Sequence, residues 1–122
     1  FELRIGCPNQ FLPSHLKENK NLKIFDNPNE AASGASLIST DVWVSMGDEE
    51  EIDERTKAFS KFQVTTELLD EADENVIFLH CLPAIRGQEV TSEVMEDERS
   101  KVWQQAENRL HAQKALLISL LG

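Results

Sequence analysis

The chain lacks most of the signatures that announce the common ligand classes. Its five glycines are scattered, and neither GxGxxG nor GxxxxGKS/T occurs, so no glycine loop is available to cradle a phosphate. No CxxC or HxxxH pair exists, and a structural zinc site wants four ligands. Basic residues are scarce. Twelve Lys and Arg stand against 22 Asp and Glu, a formal charge of −10, which argues against nucleic-acid and anionic-membrane partners. An anionic ligand therefore has to be held by a few placed donors. No apolar run approaches the ~20 residues of a membrane span, and the start has no basic flank of a signal peptide. With only Cys7 and Cys81, the expectation is two reduced thiols in a cytoplasmic protein rather than a disulfide.

What is present points to one globular α/β domain. The 122 residues can bury about 65% of their unfolded surface. Val76 to His80 has the length and β-rich composition of a buried parallel strand. It runs into Cys81-Leu82-Pro83, polar and turn chemistry at a strand end, where open α/β sheets hold their ligands. A second such end is Asp41-Val42-Trp43-Val44-Ser45-Met46-Gly47, which follows the apolar run Ala35 to Thr40. Further strands are expected at Leu3–Cys7 and Leu22–Phe25, with a short one at Lys101–Trp103. Helices are expected at Pro13–Asn19, after Asn27-Pro28, at Glu49–Phe59, Glu67–Ala72, Thr91–Met95 and Glu107–Leu121. Strands alternating with helices at this spacing predict a doubly wound, mostly parallel sheet.

The ends carry a further expectation. The sequence begins at Phe1, already inside a strand pattern, and finishes in Leu116-Leu117-Ile118-Ser119-Leu120-Leu121. A helix that is apolar all round needs partners on several sides. This pattern reads as a piece of a larger protein that lacks the first, central strand of its sheet. A gap beside Leu3–Cys7 and an exposed terminal helix are expected.

Several residues could carry chemistry. Cys81 is either a nucleophilic thiol, which needs a lowered pKa, or an inert cysteine at a strand end. His80 adjoins it but should face the opposite side of the strand, so the two are poor co-ligands for a metal. Arg109, expected in the first turn of the terminal helix, can clamp an anion or pair with a carboxylate such as Glu107. Asp41 follows an apolar strand, so it should be at least partly screened from water and need a cationic or hydrogen-bond-donor partner, either a substrate ammonium or a neighbouring Arg. The acidic run Asp48 to Glu51 reads as a solvated helix start.

Three motifs in register, Asp41-Val42-Trp43-Val44-Ser45-Met46-Gly47, His80-Cys81-Leu82-Pro83-Ala84 and Ala106-Glu107-Asn108-Arg109-Leu110-His111, resemble those of ornithine carbamoyltransferases. Gly87-Gln88-Glu89-Val90-Thr91 and Gln113-Lys114-Ala115 support the likeness, which covers essentially residues 1–122. The resemblance implies the ornithine-binding domain of an enzyme that moves a carbamoyl group from carbamoyl phosphate to the δ-amine of L-ornithine, without a cofactor. It implies that Asp41 takes the substrate α-ammonium and that Ser45 and Met46 bind its amino-acid end. Cys81 and the Leu82 carbonyl, aimed by a cis bond to Pro83, would lie at the reacting atoms, and Arg109 would help bind carbamoyl phosphate. A homotrimer or a multiple of trimers is implied, as is a preceding carbamoyl-phosphate domain with a Ser-x-Arg-Thr loop, without which these residues alone should be inactive. Ser45-Met46-Gly47 favours ornithine over putrescine, the substrate of a related carbamoyltransferase. A non-catalytic α/β binding module is the remaining alternative.

Overall fold

Four short parallel strands set the frame of the computed structural model, which describes residues 1–44 and 52–122. β1 is Leu3–Gly6 and β2 is Leu22–Phe25, paired in register Leu3↔Leu22 to Gly6↔Phe25. Pro8, which has no N–H to extend a ladder, follows β1. β3, Leu37–Thr40, pairs with β4, Ile77–His80, in register Leu37↔Ile77 to Thr40↔His80. Parallel pairing needs a long return path, and between β3 and β4 it runs through helices α2, Ile52–Phe59, and α3, Thr66–Asp70.

Local chemistry fixes the helix starts. Helix α1, Pro28–Ala32, opens with proline and is capped by Asn27, whose side chain accepts the Asn29 N–H at 3.0 Å. Thr65 and Thr91 do the same for α3 and for α4, Ser92–Glu96, accepting from Leu68 at 3.2 Å and Val94 at 3.3 Å. Helix α5, Val102–Leu121, is the longest.

The core gathers on one side of β4. Val64, Leu68, Leu69, Phe78, Val90, Val94, Met95 and Val102 are all buried there, with Ile38, Leu82 and Ala84 packed against them. The alternation along β4 is clean: Phe78 and His80 point into this core, while Ile77 and Leu79 are only half buried.

Among the described residues no strand joins the two sheets, so β1 is paired on one edge only. The expected break beside β1 is present. So is the exposed helix: every residue of α5 from Ala106 onward is exposed, including Leu110, Leu116, Leu117, Ile118, Leu120 and Leu121. No helix among the described residues is long and apolar enough to cross a membrane.

Three expectations need correction. Pro13–Asn19 is not helical. Leu16 closes one turn onto Pro13, but Asn19 then bridges to Leu22, and the chain is drawn into β2. Lys101–Trp103 is not a strand. The chain makes one parallel bridge, Phe78↔Ser100, held by Phe78 N–H to the Arg99 carbonyl and Lys101 N–H to the Phe78 carbonyl, both 2.9 Å. Helix α5 begins directly after it, at Val102 rather than Glu107. Of Glu49–Phe59, the helix is described from Ile52, and the Asp48–Glu51 run lies outside the described residues.

Candidate active site

Register builds the site. Because Thr40 pairs with His80, the next residues along the two strands, Asp41 and Cys81, emerge side by side at the carboxyl end of the sheet. Donor atoms of Asp41, His80 and Cys81 all lie within 4.8 Å of one another. The Asp41 carboxylate beside the Cys81 thiol favours its protonated form, as an acceptor for the thiol proton and by the repulsion of a second negative charge, and together with burial raises its pKa above the ordinary thiol value. Arg109 acts in the opposite direction, its charge favouring the thiolate. Cys81 is therefore a thiol poised between an acid and a guanidinium. It is not the ready thiolate that nucleophilic catalysis requires.

Asp41 is exposed, against the expectation that it is screened. Its carboxylate accepts the Val42 N–H at 2.8 Å, and the buried residue of this stretch is Trp43, two positions on. Trp43 stacks on Phe59 of α2 with ring centroids 6.2 Å apart. Ser45 and Met46 lie outside the described residues.

Arg109 also differs from its expected setting. With α5 starting at Val102, it stands about two turns into the helix, too deep for the terminal amides to assist it. It has no hydrogen bond or ion pair among the described residues, and Glu107 faces His111 at 3.7 Å instead. Arg109 and Cys81 line one groove of about 820 Å³, together with Ile77, Leu79, Lys101 and Gln105. Alternation along β4 puts Ile77, Leu79 and Cys81 on this face.

The loop after Cys81 has unusual backbone. The Leu82–Pro83 peptide bond is cis, and Leu82 lies at φ 59, in the left-handed region that side chains other than glycine adopt at a cost. His80 is turned into the core, as its place on the strand predicts. Its Nδ1 accepts the Leu82 N–H at 2.9 Å and its Nε2 meets Glu89 Oε1 at 3.2 Å. The expectation that His80 and Cys81 are too divergent to share an ion does not hold on distance. Both ring nitrogens are engaged, however, and a metal would have to displace the Leu82 amide from Nδ1.

Glu89 and Gln105 have no role in the sequence reading, although Glu89 lies in one of the stretches that carry the family likeness. Glu89 sits in a polar-looking stretch, Arg86-Gly87-Gln88-Glu89, and the sole hint of burial is the Val90 that follows. Gln105, whose side-chain oxygen accepts the His80 N–H at 3.0 Å, falls in a segment that the reading left outside the helix.

Open parallel α/β sheets hold their ligands outside the carboxyl ends of the strands, where Asp41 and Cys81 stand. Residues 1–120 match the family model described as aspartate/ornithine carbamoyltransferase, Asp/Orn binding domain. The ornithine carbamoyltransferase of Pseudomonas syringae pv. tomato is 50% identical over 125 residues, covering 100% of this chain and 41% of that protein. That of Methanosphaera stadtmanae is 48% identical over 126 residues, covering 95% of this chain and 42% of that protein. The crystal structure of ornithine carbamoyltransferase from Thermus thermophilus superposes with a TM-score of 0.85 at 40% identity, over 99% of this chain and 40% of that one. The chain belongs to the aspartate/ornithine carbamoyltransferase family and corresponds to its Asp/Orn-binding domain. It spans about two fifths of the length of the curated relatives it matches.

Proposed function

We propose that these residues form the ornithine-binding part of an enzyme that transfers a carbamoyl group from carbamoyl phosphate to the δ-amine of L-ornithine, giving L-citrulline and phosphate. The observation that carries this reading is the cluster at the strand ends: Asp41 against Cys81, with Arg109 lining the same groove as Cys81; the Leu82 carbonyl joins them by resemblance alone. Asp41, exposed and without a cation among the described residues, is a receptor for the substrate α-ammonium. Ser45 and Met46 belong to the same recognition loop by resemblance alone.

The chemistry follows from the charges. An ammonium bound at Asp41 cancels the field that holds the proton on Cys81, while Arg109 remains to favour the thiolate. Once the thiol has released its proton to solvent, the thiolate can accept the proton that the δ-ammonium must lose before its nitrogen attacks. The Leu82 carbonyl accepts from that amine or from the carbamoyl amide. Negative charge then builds on the carbonyl oxygen and the departing phosphate, where Arg109 contributes a fixed donor. Orientation of two substrates supplies much of the rate, so the carbamoyl-phosphate half belongs to the active unit. A homotrimer in the cytoplasm and a role in arginine metabolism complete the reading.

The test is citrulline formation by the full-length protein carrying this sequence, with ornithine and putrescine compared as acceptors. Turnover with ornithine is expected. Asp41→Ala should weaken ornithine binding by about 2 kcal/mol, as for losing a charged hydrogen-bond partner. Cys81→Ala should lower turnover and leave carbamoyl phosphate binding largely intact. Preference for putrescine, or unchanged ornithine affinity in Asp41→Ala, would refute the assignment.

A further inference from the structure

We infer that His80 and Glu89 are a positioning pair that sets the backbone of residues 81–85, and with it the Leu82 carbonyl, for carbamoyl transfer; this rests on the functional reading above. Both side chains are buried, His80 at 1% exposure and Glu89 at 0%. A carboxylate taken out of water needs compensating donors, so the donors it has been given tell what it is for. Glu89 Oε1 receives His80 Nε2 at 3.2 Å and the Ile85 N–H at 2.6 Å. His80 Nδ1 receives the Leu82 N–H at 2.9 Å. A ring nitrogen that accepts carries no proton, so the imidazole proton sits on Nε2 and is directed at Glu89.

The pair therefore grips one loop at two places, the Leu82 N–H before the cis bond and the Ile85 N–H two residues beyond Pro83. Leu82 needs that grip. A leucine at φ 59 persists only where its surroundings over-determine it. The grip is itself anchored at both ends. Gln105 of α5 holds the His80 N–H at 3.0 Å, and the Glu89 carbonyl accepts the Val64 N–H at 2.9 Å. Glu89 Oε2 has no hydrogen-bond partner among the described residues, so the holding is done by Oε1 alone. A pair kept only for stability would hold core side chains to one another. This one holds backbone next to Cys81.

The full-length protein tests the inference with two variants at one position. Glu89→Leu fills similar volume without an acceptor. It should lower kcat about tenfold or more, equivalent to ~1.4 kcal/mol of barrier, with carbamoyl phosphate binding changed by less than about twofold. The Leu82 and Ile85 amides should exchange with deuterium about tenfold faster. Glu89→Gln keeps an oxygen where Oε1 stands and should retain kcat within about threefold. If Glu89→Leu does not fold, His80→Gln takes its place, since its amide reaches Glu89 but offers Leu82 no acceptor. Wild-type kcat or unchanged exchange in the folded variant overturns the positioning role, as does a loss in Glu89→Gln as deep as that in Glu89→Leu. A wild-type protein that makes no citrulline overturns the functional reading instead, and the exchange measurement alone then decides this one.

Discussion

The molecule contains the same constellation twice, and only one copy reads as a site. In each two-stranded sheet the residues just past the last paired positions are a cysteine and an aspartate: Cys7 and Asp26 beyond Gly6↔Phe25, Asp41 and Cys81 beyond Thr40↔His80. Their surroundings differ. Asp26 is taken by Lys61 at 2.7 Å and by Asn9 at 3.4 Å, and the Cys7 thiol turns to the Pro8 carbonyl at 3.5 Å. Asp41 meets no cation among the described residues and lies beside the Cys81 thiol instead. Placement at a strand end is thus not sufficient. A site also needs charge left unpaired for a ligand, and a platform rigid enough to present it.

The platforms differ more than the pairs do, and the largest effect should appear there. β4 presents Phe78 and His80 to the core at 0% and 1% exposure, whereas Leu3 of β1 is 50% exposed. Phe78→Ala should therefore destabilise the protein by about 3–5 kcal/mol, and Leu3→Ala by less than about 1 kcal/mol. Urea unfolding measures both. Comparable losses would mean that the two sheets share one platform, and the contrast drawn here would fail.

A smaller effect guards the open edge of β4. Arg99, whose carbonyl takes the Phe78 N–H, is clamped by Asp97 at 2.9 and 2.8 Å and by Asp70 at 2.7 Å. Those bonds hold the Asp97 carboxyl below its usual range. A carboxylate depressed in the folded state contributes stability that is complete above the ordinary Asp value, about 4, and is lost as pH falls through its folded value. Asp97→Asn should cost about 1 kcal/mol at pH 7, and its deficit against wild type should shrink below about pH 4. A deficit that stays constant down to pH 3 would remove the ion pair as its cause.

The contrast between the two sheets was only partly legible in the sequence. Strand existence was readable because Ile77-Phe78-Leu79-His80 is a β-rich run ending at polar residues, and Asn27, Thr65 and Thr91 announce their helices by capping chemistry. Pro13–Asn19 misled because a proline start looks helical, while the pull of β2 on Asn19 is a tertiary effect that no local pattern records. The start of α5 was missed for the same reason: the bridge from Ser100 to Phe78 releases the chain at Val102, and only the paired strand fixes that point. That error moved Arg109 about one and a half turns deeper into the helix. Asp41 and Cys81 were visible as motif residues. Their contact required the Thr40↔His80 register, and the burial of Glu89 required the core around Val90.

The smallest effect bears most directly on the two cysteines. Alkylation proceeds through the thiolate, and both thiols are raised above their ordinary value, Cys81 chiefly by Asp41 and Cys7 by burial alone. Both should therefore react slowly with iodoacetamide at pH 7, for different reasons. Asp41→Asn removes the charge that opposes ionisation of Cys81 and leaves Arg109 favouring it, so Cys81 should react several-fold faster. The gain is tempered because a thiolate of lower pKa is also a weaker nucleophile. Asp26→Asn should leave Cys7 unchanged, since Lys61 already neutralises Asp26 and no carboxylate raises that thiol. Mass spectrometry of the two peptides separates the rates in one experiment. Acceleration of Cys7 in Asp26→Asn, or none of Cys81 in Asp41→Asn, would erase the electrostatic difference between the two strand ends and leave burial alone to explain both thiols.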